Sequence, residues 1–253
     1  MNDKVSVIIP YYKKKFFFLN TLKSALNQTY KNFEILIIYD DPSRTDLEYI
    51  KKIIKFNKKI TLLINKKKLG AGYSRNLGIK YSKGSYIAFL DADDLWNRKK
   101  LAIQIKFMKK HNVNFCHTSY KIINEQDNLI GKQTAKSYIS YFDLLRSCDI
   151  GLSTVLVKKE ILKKKMFSKL KTKEDYSLWL KLAKKNKIIG LNKFLCKWRR
   201  SHNSLSSSTA QRVLDAFRVY FKEENFNFFI SIFRVFILSC NYLFKRIRQK
   251  IYF

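Results

Sequence analysis

Cysteine, glycine and proline are scarce in this chain of 253 residues, which contains four, seven and two of them. The cysteines are widely separated, and no two of them form a Cys-x-x-Cys pair. This spacing argues against a zinc site and against a disulfide framework, and it is typical of proteins in a reducing cytosol. We therefore expect a cytoplasmic protein whose cysteines are reduced.

Acidic residues and long apolar stretches are also few. The 19 acids stand against 52 lysines and arginines, a formal net charge of +33. Such a charge attracts anionic lipid headgroups and phosphorylated substrates. The lysines lie in twos and threes, such as residues 13–15, which indicates solvated surface, and we expect no nucleic-acid partner because no stretch resembles a basic tail. No uncharged stretch reaches the roughly 20 residues of a spanning helix, and the apolar residues 5–10 are too few for a signal peptide.

The first 120 residues alternate between short apolar runs and amphipathic stretches. The runs are rich in β-branched and aromatic residues, which favours buried strands, and the stretches between them have helical spacing. We expect strands at residues 5–9, 33–39, 60–64, 85–90 and 113–120, and helices at residues 16–27, 47–56, 72–81 and 98–110. This order predicts an α/β fold with a mostly parallel central sheet and helices on both of its faces.

The rest of the chain is less regular. It predicts a strand at residues 150–158, a helix at 175–185, a serine-rich loop or lid at 201–209 and helical structure from residue 210 onwards. We therefore expect a catalytic domain over residues 1–208, followed by a C-terminal helical segment over residues 209–253.

The C-terminal segment combines an apolar face with positive charge. Its apolar positions at helical spacing include Phe229, Ile232, Phe233 and Phe236, and the basic residues that follow include Lys245, Arg246 and Arg248. One interpretation is a core or dimer helix, and the other is an interfacial helix on anionic lipid. The aromatic density before a basic end favours the second, so we expect a protein peripheral to the inner face of the cell membrane.

Three carboxylates follow the predicted strand at residues 85–90, in the sequence Asp91-Ala92-Asp93-Asp94. Asp91 and Asp93 are two residues apart and point the same way in extended backbone. Acids this close repel each other unless a cation or a proton intervenes. Hard oxygen ligands suit Mn²⁺ or Mg²⁺, which keep substrate phosphates as further ligands. The alternative is that the acids cap the next helix, and Asp94 is the candidate for that role. For Asp91 and Asp93 we favour the metal.

A series of motifs resembles those of the family 2 glycosyltransferases. The resemblance spans about residues 4 to 206 and keeps the family's order. It rests on the segments Val5-Ser6-Val7-Ile8-Ile9-Pro10-Tyr11-Tyr12, Asp40-Asp41-Pro42-Ser43, Gly72-Tyr73-Ser74-Arg75-Asn76-Leu77-Gly78, Phe89-Leu90-Asp91-Ala92-Asp93-Asp94, Glu174-Asp175-Tyr176-Ser177-Leu178-Trp179 and Trp198-Arg199-Arg200-Ser201-His202-Asn203-Ser204-Leu205-Ser206. Any one of these motifs alone would be weak, whereas the ordered series is specific.

The resemblance implies a GT-A fold and an inverting glycosyltransferase. The expected donor is a nucleotide diphospho-sugar, a UDP-sugar first of all, and the expected acceptor is a saccharide or a lipid-linked saccharide. Asp93 would bind Mn²⁺ or Mg²⁺, and Asp91 would contact the ribose or metal-bound water. Asp41 would accept the ring N–H of a uracil-like base, unless it only forms the turn, and Pro10 and Tyr11 would wall that base.

Further roles follow from the same resemblance. Arg75 would reach a phosphate of the donor or brace the aspartates. Asp175 is the candidate general base, because transfer to a hydroxyl requires removal of the acceptor proton. The alternative is that Glu174 and Asp175 merely favour the N-terminus of their helix. Arg199 and His202 are expected at the diphosphate.

Two positions depart from the family pattern, and two other classes of function stay open. Pro42 replaces a glycine of the family, and Lys13 stands where the family often has asparagine. A Mg²⁺-dependent nucleotidyltransferase also uses paired carboxylates, but it would require a glycine-rich or basic phosphate-binding loop after the first strand. This chain has no such glycines there, which argues against that class. A basic nucleic-acid-binding module would lack turnover and would lose affinity steeply with salt.

Overall fold

The computed structural model describes residues 3–163, 166–201 and 208–251. Its centre is a ten-stranded sheet with helices on both faces, so the α/β prediction is confirmed. The strands are β1 (Val5–Tyr11), β2 (Phe33–Tyr39), β3 (Ile60–Ile64), β4 (Tyr86–Phe89), β5 (Leu95–Trp96), β6 (Phe115–Ile123), β7 (Leu129–Gln133), β8 (Tyr138–Ile139), β9 (Leu156–Lys158) and β10 (Ile188–Arg199). The helices are α1 (Lys15–Leu26), α2 (Arg44–Ile54), α3 (Ala71–Tyr81), α4 (Lys100–Lys110), α5 (Tyr141–Arg146), α6 (Glu174–Ala183), α7 (Thr209–Arg218) and α8 (Phe228–Ile251).

The first four strands form the parallel part of the sheet. Their order is β3–β2–β1–β4, and each neighbouring pair is parallel. The chain first adds strands on one side of β1 and then crosses to its other side to place β4. In open α/β sheets ligands bind at such a switch point, outside the carboxyl ends of the strands. The ends of β1, β2 and β4 therefore mark the edge where a site is expected.

Alternation along β1 divides the core into two layers. Val5 and Ile9 belong to one layer, where they join Phe18 of α1, whereas Ile8 belongs to the layer that contains Trp179 of α6. Successive side chains of a strand point to opposite faces, so one apolar run supplies both layers. Burying each such side chain contributes about 1.5–3 kcal/mol relative to leaving it exposed. The two layers therefore hold the strands, and the strand ends at the edge of the sheet, in fixed positions.

Beyond β4 the sheet is mixed and departs from the sequence expectations in detail. β9 is antiparallel to both β4 and β6, while β6 and β10 are parallel. The strand expected at residues 150–158 is a 3₁₀ turn at Leu152–Thr154 followed by the short β9. β10 was not predicted, because its two register shifts against β6 interrupt the alternation of buried and exposed residues that identifies a strand.

The helix α7 is attached to the core, although the sequence placed it in a separate segment. Ala216 of α7 and Val219 and Tyr220 of the π-helical turn Val219–Glu223 are buried in the same layer as Trp179. The buried carboxylate of Asp215 also accepts the backbone N–H of Thr172 at 2.9 Å. The chain from residue 209 to the π-helical turn therefore packs as part of the main body.

The helix α8 is mostly exposed. Its segment Phe228–Lys245 is long and apolar enough, by length and composition alone, to cross a membrane, and 17% of that segment is buried. This segment does not count among the uncharged stretches that were expected to be too short for a spanning helix, because it contains Arg234. The apolar face predicted for the tail is exposed at Phe229, Ile232, Phe233 and Phe236, whereas the side chains of Arg246 and Arg248 lie outside the described residues.

Candidate active site

The edge formed by the carboxyl ends of β2, β1 and β4 brings several predicted residues together. The backbone N–H of Asp40 donates to the carbonyl of Tyr11 and keeps β1 and β2 in register at their ends. The Asp40 carboxylate accepts the backbone N–H groups of Leu69 and Gly70 at 2.7 Å each. Gly70 has a φ of 90°, a conformation that favours glycine. Asp40 thus fixes the tight turn that starts α3.

The acidic loop after β4 is anchored through Asp94. The buried Asp94 carboxylate accepts the hydroxyl of Ser153 at 2.5 Å and the backbone N–H of Arg199 at 2.8 Å. Ser153 Oγ in turn accepts the backbone N–H of Asp91 at 3.0 Å. Burial raises the pKa of Asp94 well above its usual range, and the charges of Asp93 and Asp91 add to the effect. The capping role considered for Asp94 is wrong, because α4 begins without a side-chain cap.

Asp93 is paired with Lys14, so the solvated surface expected for residues 13–15 does not include this lysine. Asp93 is 9% exposed, and its Oδ2 lies 2.7 Å from Nζ of Lys14. Burial raises the pKa of Asp93, and the Lys14 ammonium acts in the opposite direction. The run at residues 13–15 is therefore not uniformly solvated. The sequence feature that could have identified Lys14 as a residue of the site is its position, because it follows the end of β1 at the edge of the sheet.

The residues present fit a divalent cation held jointly by the chain and its substrate. Asp91 and Asp93 offer hard oxygen ligands at the sheet edge, but Arg75 and Lys14 already pair with them. Among the described residues, no three His, Cys, Asp or Glu side chains form a group that could hold a metal. Mg²⁺ is commonly bound through one or two carboxylates together with substrate phosphates, and this edge could supply that number.

Arg75 of α3 connects the acidic loop to α6. Its Nη2 lies 2.8 Å from Oδ1 of Asp91, and its Nη1 lies 2.6 Å from Oε1 of Glu174. Burial acts to lower the pKa of Arg75, but Asp91 and Glu174 outweigh it and raise the pKa. A Cβ on Gly72 would lie 2.6 Å from the carbonyl oxygen of Ser168, so glycine lets α3 approach this region closely. Of the two predicted roles for Arg75, the bracing contact is the one present.

The acidic pair that begins α6 occupies two different environments. Glu174 is buried and bonded to Arg75, and burial raises its pKa to about 7 although Arg75 opposes this. Asp175 is partly exposed, and its Oδ1 accepts the adjacent backbone N–H of Tyr176 at 2.7 Å. Burial also raises the pKa of Asp175, with Arg75 again acting to lower it. Within the described chain Asp175 forms no ion pair, so of the two acids it is the one able to accept a proton from a substrate.

Asp41 lies in the loop after β2 and joins it to the loop after β1. Its carboxylate accepts the backbone N–H of Lys13 at 2.6 Å and that of Ser43 at 3.0 Å. The turn-forming role considered as the alternative is therefore present, while contact with a base stays a prediction. Lys13 has a φ of 50°, a left-handed region that asparagine adopts more readily than lysine.

Tyr11 cannot present its ring to a base as predicted. The ring is fully buried, stacked on Tyr39 at 5.3 Å between centroids and in edge contact with Phe18 at 5.0 Å. Its hydroxyl donates to Asp46 at 2.6 Å. An inward-facing position at the end of β1 explains this burial. Pro10, on the opposite face, is partly exposed, and its predicted contact with the base stays open.

Arg199 is also not available to a diphosphate. Its buried guanidinium donates to the carbonyls of Asp93 and Asn124 and pairs with Asp127 at 2.6 Å. Arg199 therefore holds the acidic loop in place from the end of β10. His202, the other residue predicted at the diphosphate, lies outside the described residues.

Comparisons with known proteins agree with this fold. The family described as Glycosyl transferase family 2 matches residues 6–171. The Escherichia coli protein WfgD, named UDP-Glc:alpha-D-GlcNAc-diphosphoundecaprenol beta-1,3-glucosyltransferase, is 40% identical over 207 residues, which are 81% of this chain and 80% of that protein.

Two solved structures share the fold. The crystal structure of S. aureus TarS 1-349 in complex with UDP-GlcNAc matches with a TM-score of 0.67 and 20% identity, over 87% of this chain and 67% of that chain. The mannosyltransferase PcManGT from Pyrobaculum calidifontis in complex with GDP-Man and Mn2+ matches with a TM-score of 0.67 and 16% identity, over 88% of this chain and 64% of that one. The chain thus spans about two thirds of the length of each.

Proposed function

The chain belongs to glycosyl transferase family 2, and on this premise we propose that it transfers a sugar from a UDP-sugar to a hydroxyl of a lipid-linked saccharide. The proposed reaction is a metal-dependent single displacement with inversion. The observation that carries it is the Arg75 bridge, which sets the acidic loop and the start of α6 on two sides of one guanidinium. Family membership favours glycosyl transfer over the nucleotidyltransferase alternative.

Donor binding is proposed at the edge of β2, β1 and β4. WfgD is named for UDP-Glc, so UDP-Glc is the first donor to test. A Mn²⁺ or Mg²⁺ ion held by Asp93 would offset the charge that develops on the leaving diphosphate. Arg75 fixes the position of Asp91, which we propose to contact the ribose or metal-bound water, and Asp41 and Pro10 are proposed near the base.

Asp175 is proposed as the general base. It lies at the first turn of α6, next to the residue that Arg75 holds, and is partly exposed. The positive end of the helix dipole favours its ionised form, whereas burial raises its pKa and thereby strengthens it as a proton acceptor. Glu174 is bonded to Arg75 and is not a second candidate. A single base without a nucleophilic carboxylate supports inversion.

The acceptor is proposed to be a lipid-linked saccharide that carries GlcNAc. The support is the name of WfgD, which specifies alpha-D-GlcNAc-diphosphoundecaprenol. An enzyme with such an acceptor works at a membrane surface, and the exposed apolar face of α8 suits the headgroup region of the inner leaflet. We place the end of the catalytic unit at Glu224, beyond the boundary at residue 208 that the sequence suggested, with α8 as the membrane-binding segment.

The test is transfer of labelled sugar from UDP-Glc, UDP-GlcNAc, GDP-Man and dTDP-Glc to a GlcNAc-diphospho-lipid, with Mn²⁺, Mg²⁺ or EDTA. We expect transfer from a UDP-sugar that EDTA abolishes, and NMR of the product should show an inverted anomeric centre. Transfer that EDTA leaves unchanged would contradict the metal, a preference for GDP- or dTDP-sugars would contradict the donor, and a retained configuration would contradict the role of Asp175.

A further inference from the structure

Lys14 has no role in the proposed transfer reaction, yet its ammonium contacts the acidic loop. Its side chain is 19% exposed, and its ammonium joins two distant parts of the chain. Nζ lies 2.7 Å from Oδ2 of Asp93 in the acidic loop and 3.0 Å from Oγ of Ser201, which follows β10. Ser201 is itself buried. The ammonium is therefore a fixed element of the donor-free site.

The ammonium lies on an oxygen of the carboxylate that is proposed to bind the metal. Mg²⁺ binds carboxylate oxygens at about 2.0–2.1 Å, so a metal on Oδ2 of Asp93 would lie within a few ångströms of Nζ of Lys14. Two cations so close in a site with little water repel each other strongly, because water does not screen them well. The ammonium on this oxygen therefore opposes metal binding by Asp93, and the two cations compete for the same carboxylate charge.

A nucleotide diphosphate changes that balance. It adds negative charge next to both cations, and lysine binds phosphate as a compact charge on a flexible stem of four carbons. Nζ of Lys14 can therefore leave Asp93 for a phosphate oxygen by rotation of its side chain, while the backbone between β1 and α1 stays in place.

We propose that Lys14 is the counter-ion of Asp93 in the donor-free protein and that the nucleotide diphosphate draws it away. The metal then binds tightly only together with the nucleotide. Lys14 is in this sense a positioning residue that sets the order of binding, and its departure also breaks the contact with Ser201. The inference rests on the proposed function, since it takes Asp93 as the metal ligand.

Direct measurement of Mn²⁺ binding tests this inference. Lys14→Met keeps most of the stem and removes the charge. Lys15→Met is the matched control, because Lys15 is the next residue, is 46% exposed and lies 3.8 Å from Asp46. The free Mn²⁺ signal in electron paramagnetic resonance gives the metal affinity without nucleotide and with UDP. Without UDP we expect Lys14→Met to bind Mn²⁺ roughly tenfold more tightly than the wild type, a difference of about 1.4 kcal/mol, and Lys15→Met to match the wild type. UDP should strengthen Mn²⁺ binding more in the wild type than in Lys14→Met.

The outcomes separate the inference from the proposed function. Equal Mn²⁺ affinities of the wild type and Lys14→Met without UDP would overturn the inference, even if UDP promotes metal binding to the wild type. Absence of Mn²⁺ binding by the wild type with UDP would instead contradict the metal-dependent function. If Lys14→Met is unfolded in metal-free buffer, Mn²⁺ alone must restore its cooperative thermal transition, since the metal replaces the missing charge, and failure to do so also overturns the inference.

Discussion

Replacing Arg75 by methionine tests whether one buried charge holds the two halves of the site together. The side chains of Arg75 and Glu174 are 6% and 11% exposed, whereas that of Asp91 is 32% exposed. Removing one partner of a buried ion pair costs about 3–5 kcal/mol, because the other charge is left without compensation. Water can solvate the Asp91 carboxylate, so losing the ion pair between Arg75 and Asp91 adds little to the cost of the substitution. We expect Arg75→Met to lower the free energy of unfolding by about 3 kcal/mol at pH 8.

Urea unfolding followed by circular dichroism measures this change. Arg200→Met is the control, because Arg200 is an exposed arginine whose side chain contacts only the ring of Trp198 among the interactions described for it. Glu174→Gln and the double variant complete a double-mutant cycle. The double variant has no unpaired charge at position 174, so its free energy of unfolding should exceed that of Arg75→Met by more than about 1 kcal/mol. A loss within about 0.5 kcal/mol of the control, or no recovery in the double variant, would refute the reasoning.

The pH dependence of the same variant provides a second check. Burial already raises the pKa of Glu174 to about 7, and Arg75 is the group that opposes this rise. Without Arg75 the folded-state pKa rises further above the value in the unfolded chain. A carboxyl group with a raised pKa stabilises the fold at low pH and loses that contribution as the pH rises through the folded-state pKa. The cost of Arg75→Met should therefore shrink between pH 8 and pH 5, and a constant cost would contradict the assignment.

Three further predictions concern the site and the tail. Asp93→Ala should abolish Mn²⁺-dependent UDP binding while the circular dichroism spectrum stays unchanged, and calorimetry showing unaltered Mn²⁺-dependent affinity would remove Asp93 as the metal ligand. Asp175→Asn should keep UDP binding but lower turnover about 10²-fold or more, because an amide cannot take the acceptor proton; near-normal turnover would place the base elsewhere. Truncation after Glu224 should leave a soluble enzyme that transfers sugar to a short water-soluble acceptor but no longer sediments with anionic liposomes, and an insoluble product would mean that α8 belongs to the core.

The parallel part of the sheet could be predicted because each of its elements is visible in a short window of sequence. β1 is apolar apart from Ser6, and the helix expected at residues 72–81 differs from α3 by one residue. The position of the acidic loop followed as well, since it directly continues β4. The second half resisted prediction because β10 gains its regularity from pairing with β6 and not from its own pattern of residues.

The partners of the polar side chains could not be predicted in the same way. Asp94 meets the backbone of Arg199 across 105 positions of sequence, and no local pattern reports such a contact. Arg199 was expected at a diphosphate because a guanidinium matches phosphate oxygens, but the same donors are satisfied by carbonyl groups and Asp127. The predicted contact of Tyr11 with a base is wrong for a similar reason. The sequence does not distinguish an aromatic residue at a strand end that faces a ligand from one that faces the core.

The two cations of the site differ in a way that decides which of them can yield to a metal. In a chain of formal charge +33, five of the 19 acids lie in the loop after β4 or at the start of α6. Arg75 is bonded to two of these acids at once, so moving it would leave the buried Glu174 carboxylate without a partner. Among the described residues Lys14 pairs with one acid, Asp93, its other contact is the neutral hydroxyl of Ser201, and its stem is flexible. A metal with its diphosphate can therefore replace the Lys14 ammonium while the Arg75 bridge stays intact. Substitutions of Arg75 should then act on stability, and those of Lys14 on metal affinity.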